Sequence, residues 1–108
     1  PAVTRIPARL ETEVDLALDY HWAHLIHYRP GGYQRPHDHA DNEDYSFVLY
    51  LDDGDGATVF HLNEKRGVHV AVEPERNKLC FFWAGLRHEG RRVEHQKQVL
   101  VGGLRLRS

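Results

Sequence analysis

Two-residue alternation of apolar and polar side chains, turn clusters at regular intervals and the lack of sustained helical periodicity predict an all-β protein. The pattern is that of a sandwich or barrel-like jelly roll of about eight strands. The alternation is clearest at the start. From Leu10 through Thr12, Val14, Leu16, Leu18, Tyr20 and Trp22 to Tyr28, even positions are mostly apolar or aromatic, while Glu11, Glu13, Asp15, Asp19 and His21 take odd ones. A period of two marks a strand with one face buried, and a helix through Leu10, Val14 and Leu18 accounts for fewer residues. A break near Asp19 is expected to divide this stretch into two strands.

The remaining elements follow in order. Pro30-Gly31-Gly32 is a turn, Tyr33 to Pro36 a short extended piece, and Asp38 to Asp44 a polar loop. Tyr45 to Leu51, aromatic and β-branched, is a strong strand closed by Asp52-Asp53-Gly54-Asp55-Gly56, with Ala57 to Leu62 as its hairpin partner. Val68 to Val72 is the next strand and Glu73 to Asn77 the turn after it. Leu79 to Ala84 is apolar throughout, which suits a central strand, with Phe81-Phe82-Trp83 in the core. Val93 and then Gln98 to Leu106 complete the set.

Length and composition fit one domain over residues 1–108. Hydrophobic residues make up 41% and charged residues 28% of the chain, as in ordinary globular proteins. A net charge of −2 gives no reason to expect nucleic acid or an acidic membrane as partner. No apolar run is long enough to span a bilayer, and no signal-peptide pattern opens the chain. Cys80 is the single cysteine, so no internal disulfide forms, and its apolar neighbours suit a buried structural thiol. A reducing, cytoplasmic location is the expectation. Starting at Pro1 rather than Met, the sequence reads as a fragment or a processed form.

Chemistry concentrates in His39-Ala40-Asp41 and the distant His88. Two imidazoles and one carboxylate on one face of an iron ion leave three positions open for a bidentate cosubstrate and O2. In an extended segment residues i and i+2 point the same way, so His39 and Asp41 would reach one ion together. The pair alone is weak evidence. With 9 histidines in 108 residues, chance supplies on the order of one such spacing.

Its surroundings are more specific. Tyr28-Arg29-Pro30-Gly31 precedes Pro36-His37-Asp38-His39-Ala40-Asp41-Asn42. Then come Tyr45 to Asp53, Gly56-Ala57-Thr58-Val59-Phe60, Leu79-Cys80-Phe81-Phe82, His88-Glu89-Gly90 and Lys97-Gln98-Val99-Leu100. This order resembles the 2-oxoglutarate- and Fe(II)-dependent dioxygenases, in particular the prolyl-4-hydroxylase-like branch, over roughly residues 22 to 101. The resemblance implies a double-stranded β-helix, here without the family's usual N-terminal helices, whose missing cover would favour homo-oligomers. It implies Fe(II) held by His39, Asp41 and His88, and 2-oxoglutarate anchored by Lys97 with Tyr28 and Thr58 as further contacts. Ascorbate belongs to the same expectation as an auxiliary reductant. The implied activity is hydroxylation of an unactivated C–H on a peptidyl, prolyl-like or small-molecule substrate.

Two departures stand out. Lys97 lies nine rather than ten positions after His88, and His95 replaces the usual glycine before it, both consistent with a loop one residue shorter. The first ligand is ambiguous as well. Pro36-His37 matches the family's proline–histidine step but puts His39 where a carboxylate belongs, whereas His39-Ala40-Asp41-Asn42 keeps the carboxylate at the cost of a two-residue insertion. Two rival readings remain: a cupin-like metalloprotein using His37 and His39 with Glu43 and His88, and a metal-free β-sandwich binding module. His21, His24, His27, His61, His69 and His95 are read as ordinary surface or core residues.

Overall fold

The computed structural model describes residues 18–107, so the alternation from Leu10 to Leu16 and the expected lack of N-terminal helices lie outside the described residues. Eight strands are present among them: β1 Leu18–Tyr28, β2 Gln34–His37, β3 Tyr45–Tyr50, β4 Thr58–Asn63, β5 Val68–Val72, β6 Leu79–Trp83, β7 His88–Gly90 and β8 Lys97–Leu106. A single 3-10 turn, Glu64–Arg66, joins β4 to β5, capped by the Asn63 side chain and ended by Gly67 in the left-handed region. The strands form two antiparallel four-stranded sheets, ordered β1-β8-β3-β6 and β2-β7-β4-β5. This is the expected jelly roll. Among the described residues no helix is long and apolar enough to cross a membrane.

Alternation explains where the core lies. On β3, Val48 and Tyr50 face the second sheet and pack with Phe60 of β4, Phe82 of β6 and Val99 of β8. Phe47 points the other way, joining Leu18, Leu100 and Leu104 in a cluster drawn from the first sheet alone. Both faces of this sheet therefore carry apolar packing. Phe47, Tyr50 and Leu104 are almost wholly buried, each contributing about 1.5–3 kcal/mol through the surface removed from water.

β1 is one strand, not two. The irregularity near Asp19 is a β-bulge: Tyr20 pairs with Leu104 but Trp22 with Gly103, leaving His21 as an extra residue. The sequence alternates without interruption, yet the face it addresses changes at the bulge. Leu18 and Tyr20 join the outer cluster, whereas Ile26 and Tyr28 join the core between the sheets. Three further expectations are corrected. Ala57 to Leu62 is not the hairpin partner of Tyr45 to Leu51, because β3 lies in the first sheet and β4 in the second, where it pairs with β5 and β7. Leu79 to Trp83 is an edge strand rather than a central one; it is apolar throughout because Leu79 and Phe81 pack outward and Cys80 and Phe82 inward. Trp83 is 64% exposed instead of core. The three-residue strand β7 was too short for any periodic signal to reveal.

Candidate active site

The second sheet builds the site. β2 and β7 pair so that His37 lies opposite His88, and His39, two residues beyond the end of β2, brings its ring to the same side. Ring centroids are 4.2 Å apart for His37–His88, 4.9 Å for His37–His39 and 5.4 Å for His39–His88. One ligand nitrogen from each ring lies within 4.8 Å of the others. His37 Nδ1 meets the Arg35 carbonyl at 2.7 Å and His88 Nδ1 meets that of Leu86 at 2.9 Å. With Nδ1–H donating, each Nε2 keeps its lone pair free for a ligand role.

Asp41 is placed elsewhere. The amides of Asn42 and Glu43 both donate to the His39 carbonyl, and Asp38 Oδ1 accepts from Ala40 N. The chain from 39 to 43 is thus curled, not extended, and the i, i+2 rule no longer applies. Asp41 is exposed in this turn and is not one of the three gathered residues. The same-face argument describes His37 and His39 instead.

Curling brings Glu43 to the site's rear. It is only 6% exposed, and its carboxylate accepts from Trp22 Nε1 at 2.6 Å, Asn42 Nδ2 at 2.9 Å and Ser46 Oγ at 2.5 Å. The Trp22 ring in turn stands 5.9 Å from His39. Gly103 makes room for this arrangement, since a Cβ there would collide with the Glu43 carboxylate and the Trp22 indole nitrogen.

Burial governs the protonation of the rings. His88 is 5% exposed, and desolvation lowers its pKa to about 4, helped by the neighbouring His37 and His39 and opposed by its bond to Leu86. His39 is also lowered, chiefly by burial, with Glu43 pulling the other way. Neutral imidazoles are the form that binds a cation.

A cavity of about 190 Å³ opens beside the three rings, lined by Tyr28, Thr58 and Lys97 as well as His37, His39 and His88. Lys97 is 3% exposed. It opens β8 directly opposite Tyr28 of β1, and its Nζ lies 5.0 Å from the centre of the Tyr28 ring. Among the described residues it has no ion-pair partner, and burial lowers its pKa. The Thr58 hydroxyl is 2.6 Å from that of Tyr50. Asp55, which the sequence did not single out, holds the loop before Lys97: its carboxylate accepts from the backbone amides of Glu94, His95 and Gln96. These bonds keep its carboxyl below the usual range. An aspartate in a turn carries no sequence signal for that role.

Known proteins now enter. The chain spans 98% of its own length, but only 64% of the partner's, on a prolyl-4-hydroxylase from Pseudomonas putida, with a TM-score of 0.77 and 27% identity. A viral collagen prolyl hydroxylase from Paramecium bursaria chlorella virus 1 superposes with a TM-score of 0.71 at 17% identity, covering 99% of this chain and 72% of that one. A cupin domain from Bordetella pertussis reaches 0.54 at 14% identity, with 80% of each chain covered. These last two likenesses speak to the fold alone. No curated protein sequence matches the chain. The family model described as the 2OG-Fe(II) oxygenase superfamily matches residues 23–103, a span that takes in both sheets, all three clustered histidines and Lys97. On that match, the chain belongs to the 2OG-Fe(II) oxygenase superfamily.

Proposed function

We propose that this chain is the catalytic core of a hydroxylase acting on an unactivated C–H of a peptidyl, prolyl-like or small-molecule substrate, with His37, His39 and His88 as its metal ligands. The observation that carries this reading is the convergence of three imidazoles beside a buried lysine with no ion-pair partner among the described residues, all in one cavity. Superfamily members use Fe(II) and 2-oxoglutarate, and the residues present fit both groups. Imidazole nitrogens suit a first-row divalent ion. An ammonium without a counter-ion suits a carboxylate.

When bound, the metal and keto acid supply O2 activation coupled to oxidative decarboxylation. The chain does the rest. His37 and His88 are oriented by backbone carbonyls. Lys97 fixes the far carboxylate of the cosubstrate, with Tyr28 beneath it, and Thr58 lines the cavity floor with its hydroxyl tied to Tyr50. Phe82, whose ring centre is 4.9 Å from that of His88, keeps water from the inner side. No side chain is required as a general base.

The ligand set departs from the family's two histidines and one carboxylate, because His39 stands where the aspartate is usual. That observation favours a second reading, a cupin-like metalloprotein that uses no keto acid. Anaerobic Fe(II) titration with 2-oxoglutarate separates the two. The oxygenase gives a weak visible charge-transfer band and forms succinate in air, and the absence of both would remove the leading proposal. For the ligands, His37→Ala should weaken Fe(II) or Co(II) binding by on the order of a hundredfold, while Asp41→Ala should leave it within about twofold. The reverse outcome would return Asp41 to the metal.

A further inference from the structure

Outside the cavity, a second depression runs along β2 and β7. Gln34, Glu89 and Gly90 line both, so the two share a wall. This outer groove, about 580 Å³ in volume, is open to solvent and lined further by Tyr33, Arg35, Arg91 and Arg92. All three arginines are exposed. Among the described residues none of their guanidinium groups has a hydrogen-bond or ion-pair partner. Glu89, the one acidic side chain of the groove, is already engaged by His61 at 2.8 Å. A chain of net charge −2 therefore sets three arginines against one carboxylate in a groove that shares a wall with its site.

The backbone holds this arrangement in place. Gly31 N donates to the Val93 carbonyl and Val93 N to that of Gly32, which ties the β1–β2 turn to the loop carrying Arg91 and Arg92. Gly31 has a φ of +90°, a conformation that favours glycine. The guanidinium of Arg92 comes within van der Waals reach of where a Cβ on Gly31 would stand. Tyr33, 58% exposed, adds an apolar ring to the same groove.

We infer that this groove binds an acidic peptide segment and presents the residue next to it to the three histidines. The inference rests on the hydroxylase reading for what happens there, but not for the binding itself. Arginine forks suit carboxylates, and an open groove of about 580 Å³ has room for several residues of chain, which the cavity of about 190 Å³ does not. A single exposed aromatic ring offers little of the stacking surface that single-stranded nucleic acid uses.

The test uses the full chain without metal and fluorescein-labelled, proline-containing peptides read by fluorescence anisotropy at low salt. One peptide carries glutamates on one side of the proline, a second glutamines at the same places, and a third lysines. The acidic peptide should bind at least about tenfold tighter than the glutamine peptide, with added salt removing the difference. Arg91→Glu with Arg92→Glu, and separately Arg35→Glu, should abolish the preference, whereas Arg76→Glu, in the β5–β6 turn, should not. Far-ultraviolet circular dichroism checks that the variants remain folded. Equal binding of acidic and glutamine peptides, no binding of either, or an equal effect of Arg76→Glu would overturn the inference. So would stronger competition by free glutamate or by a single-stranded oligonucleotide than by the unlabelled acidic peptide. Because no metal is present, failure here is distinct from failure to form succinate.

Discussion

Replacing Lys97 by methionine should move ligand binding and stability in opposite directions. Lys97 is 3% exposed and has no ion-pair partner among the described residues; its ammonium lies 5.0 Å from the centre of the Tyr28 ring, with Asp55 and Glu73 acting on it only at longer range. A cation in such a place costs the unliganded protein stability, which is why desolvation lowers its pKa. Methionine keeps the length and removes the charge, so the unliganded variant should gain about 1–3 kcal/mol. In the proposed complex the carboxylate would lose the buried cation that anchors it. Removing one partner of a buried pair costs about 3–5 kcal/mol, or a Kd for 2-oxoglutarate raised by roughly a hundredfold to several thousandfold. Urea melts of the metal-free protein and anaerobic calorimetry with Mn(II) and 2-oxoglutarate measure the two halves. A Kd within about threefold of the parent would refute the anchoring role. A lower urea midpoint would refute the claim that the charge is uncompensated.

Other outcomes follow from the same geometry. The unfolded chain protonates His88 near its ordinary value of 6.5, but the folded protein does so only at about 4. Between these values the unfolded state holds more protons, so stability falls as pH is lowered and levels off below 4, a loss of about 3 kcal/mol. His88→Gln should flatten that part of the pH dependence in metal-free urea melts, and an unchanged slope would contradict the assignment. Glu43→Gln disturbs three hydrogen bonds to a buried carboxylate and should cost about 1–3 kcal/mol, read as a lowered urea midpoint; an unshifted midpoint would show that these bonds contribute nothing. Gly103→Ala forces Trp22 away from Glu43, so Trp22 fluorescence should shift, and an unperturbed spectrum would show that the strand yields instead.

The sheets were legible because alternation is a property of neighbouring residues. Val68 to Val72 declared itself for that reason, Tyr45 to Leu51 through its aromatic and β-branched residues, and the cavity residues Tyr28, Thr58 and Lys97 once the motif order was in view. What escaped depends on contacts distant in sequence. Nothing local states that Leu79 to Trp83 lies at a sheet edge, since apolar side chains on both faces look the same in a centre strand. The His88–Gly90 strand is recognisable only by its partners Gln34–His37 and Thr58–Phe60. The first ligand pair turned on the curl at 39–43, which is set by amides bonding to the His39 carbonyl rather than by the spacing of letters. Glu43 entered only as a ligand in the cupin-like reading, and Asp55 only as part of a turn, because an acidic residue in a polar loop is usually solvated and nothing local marks a buried acceptor.

The extra residue at His21 shows where the first strand could change through time. Residues before it answer to one set of packing partners and residues after it to another, although nothing in the letters changes at that point. Its loss would leave Tyr20 opposite Leu104 and Trp22, now the next residue, opposite Gly103, so both halves would keep their faces and only the local bend would go. A residue gained or lost between Trp22 and Tyr28 has no such escape: it would reverse every side chain on one side of the change and turn part of the cavity lining outward. This exposed position is therefore open to substitution and to loss, and the stretch after it is closed to both insertion and deletion.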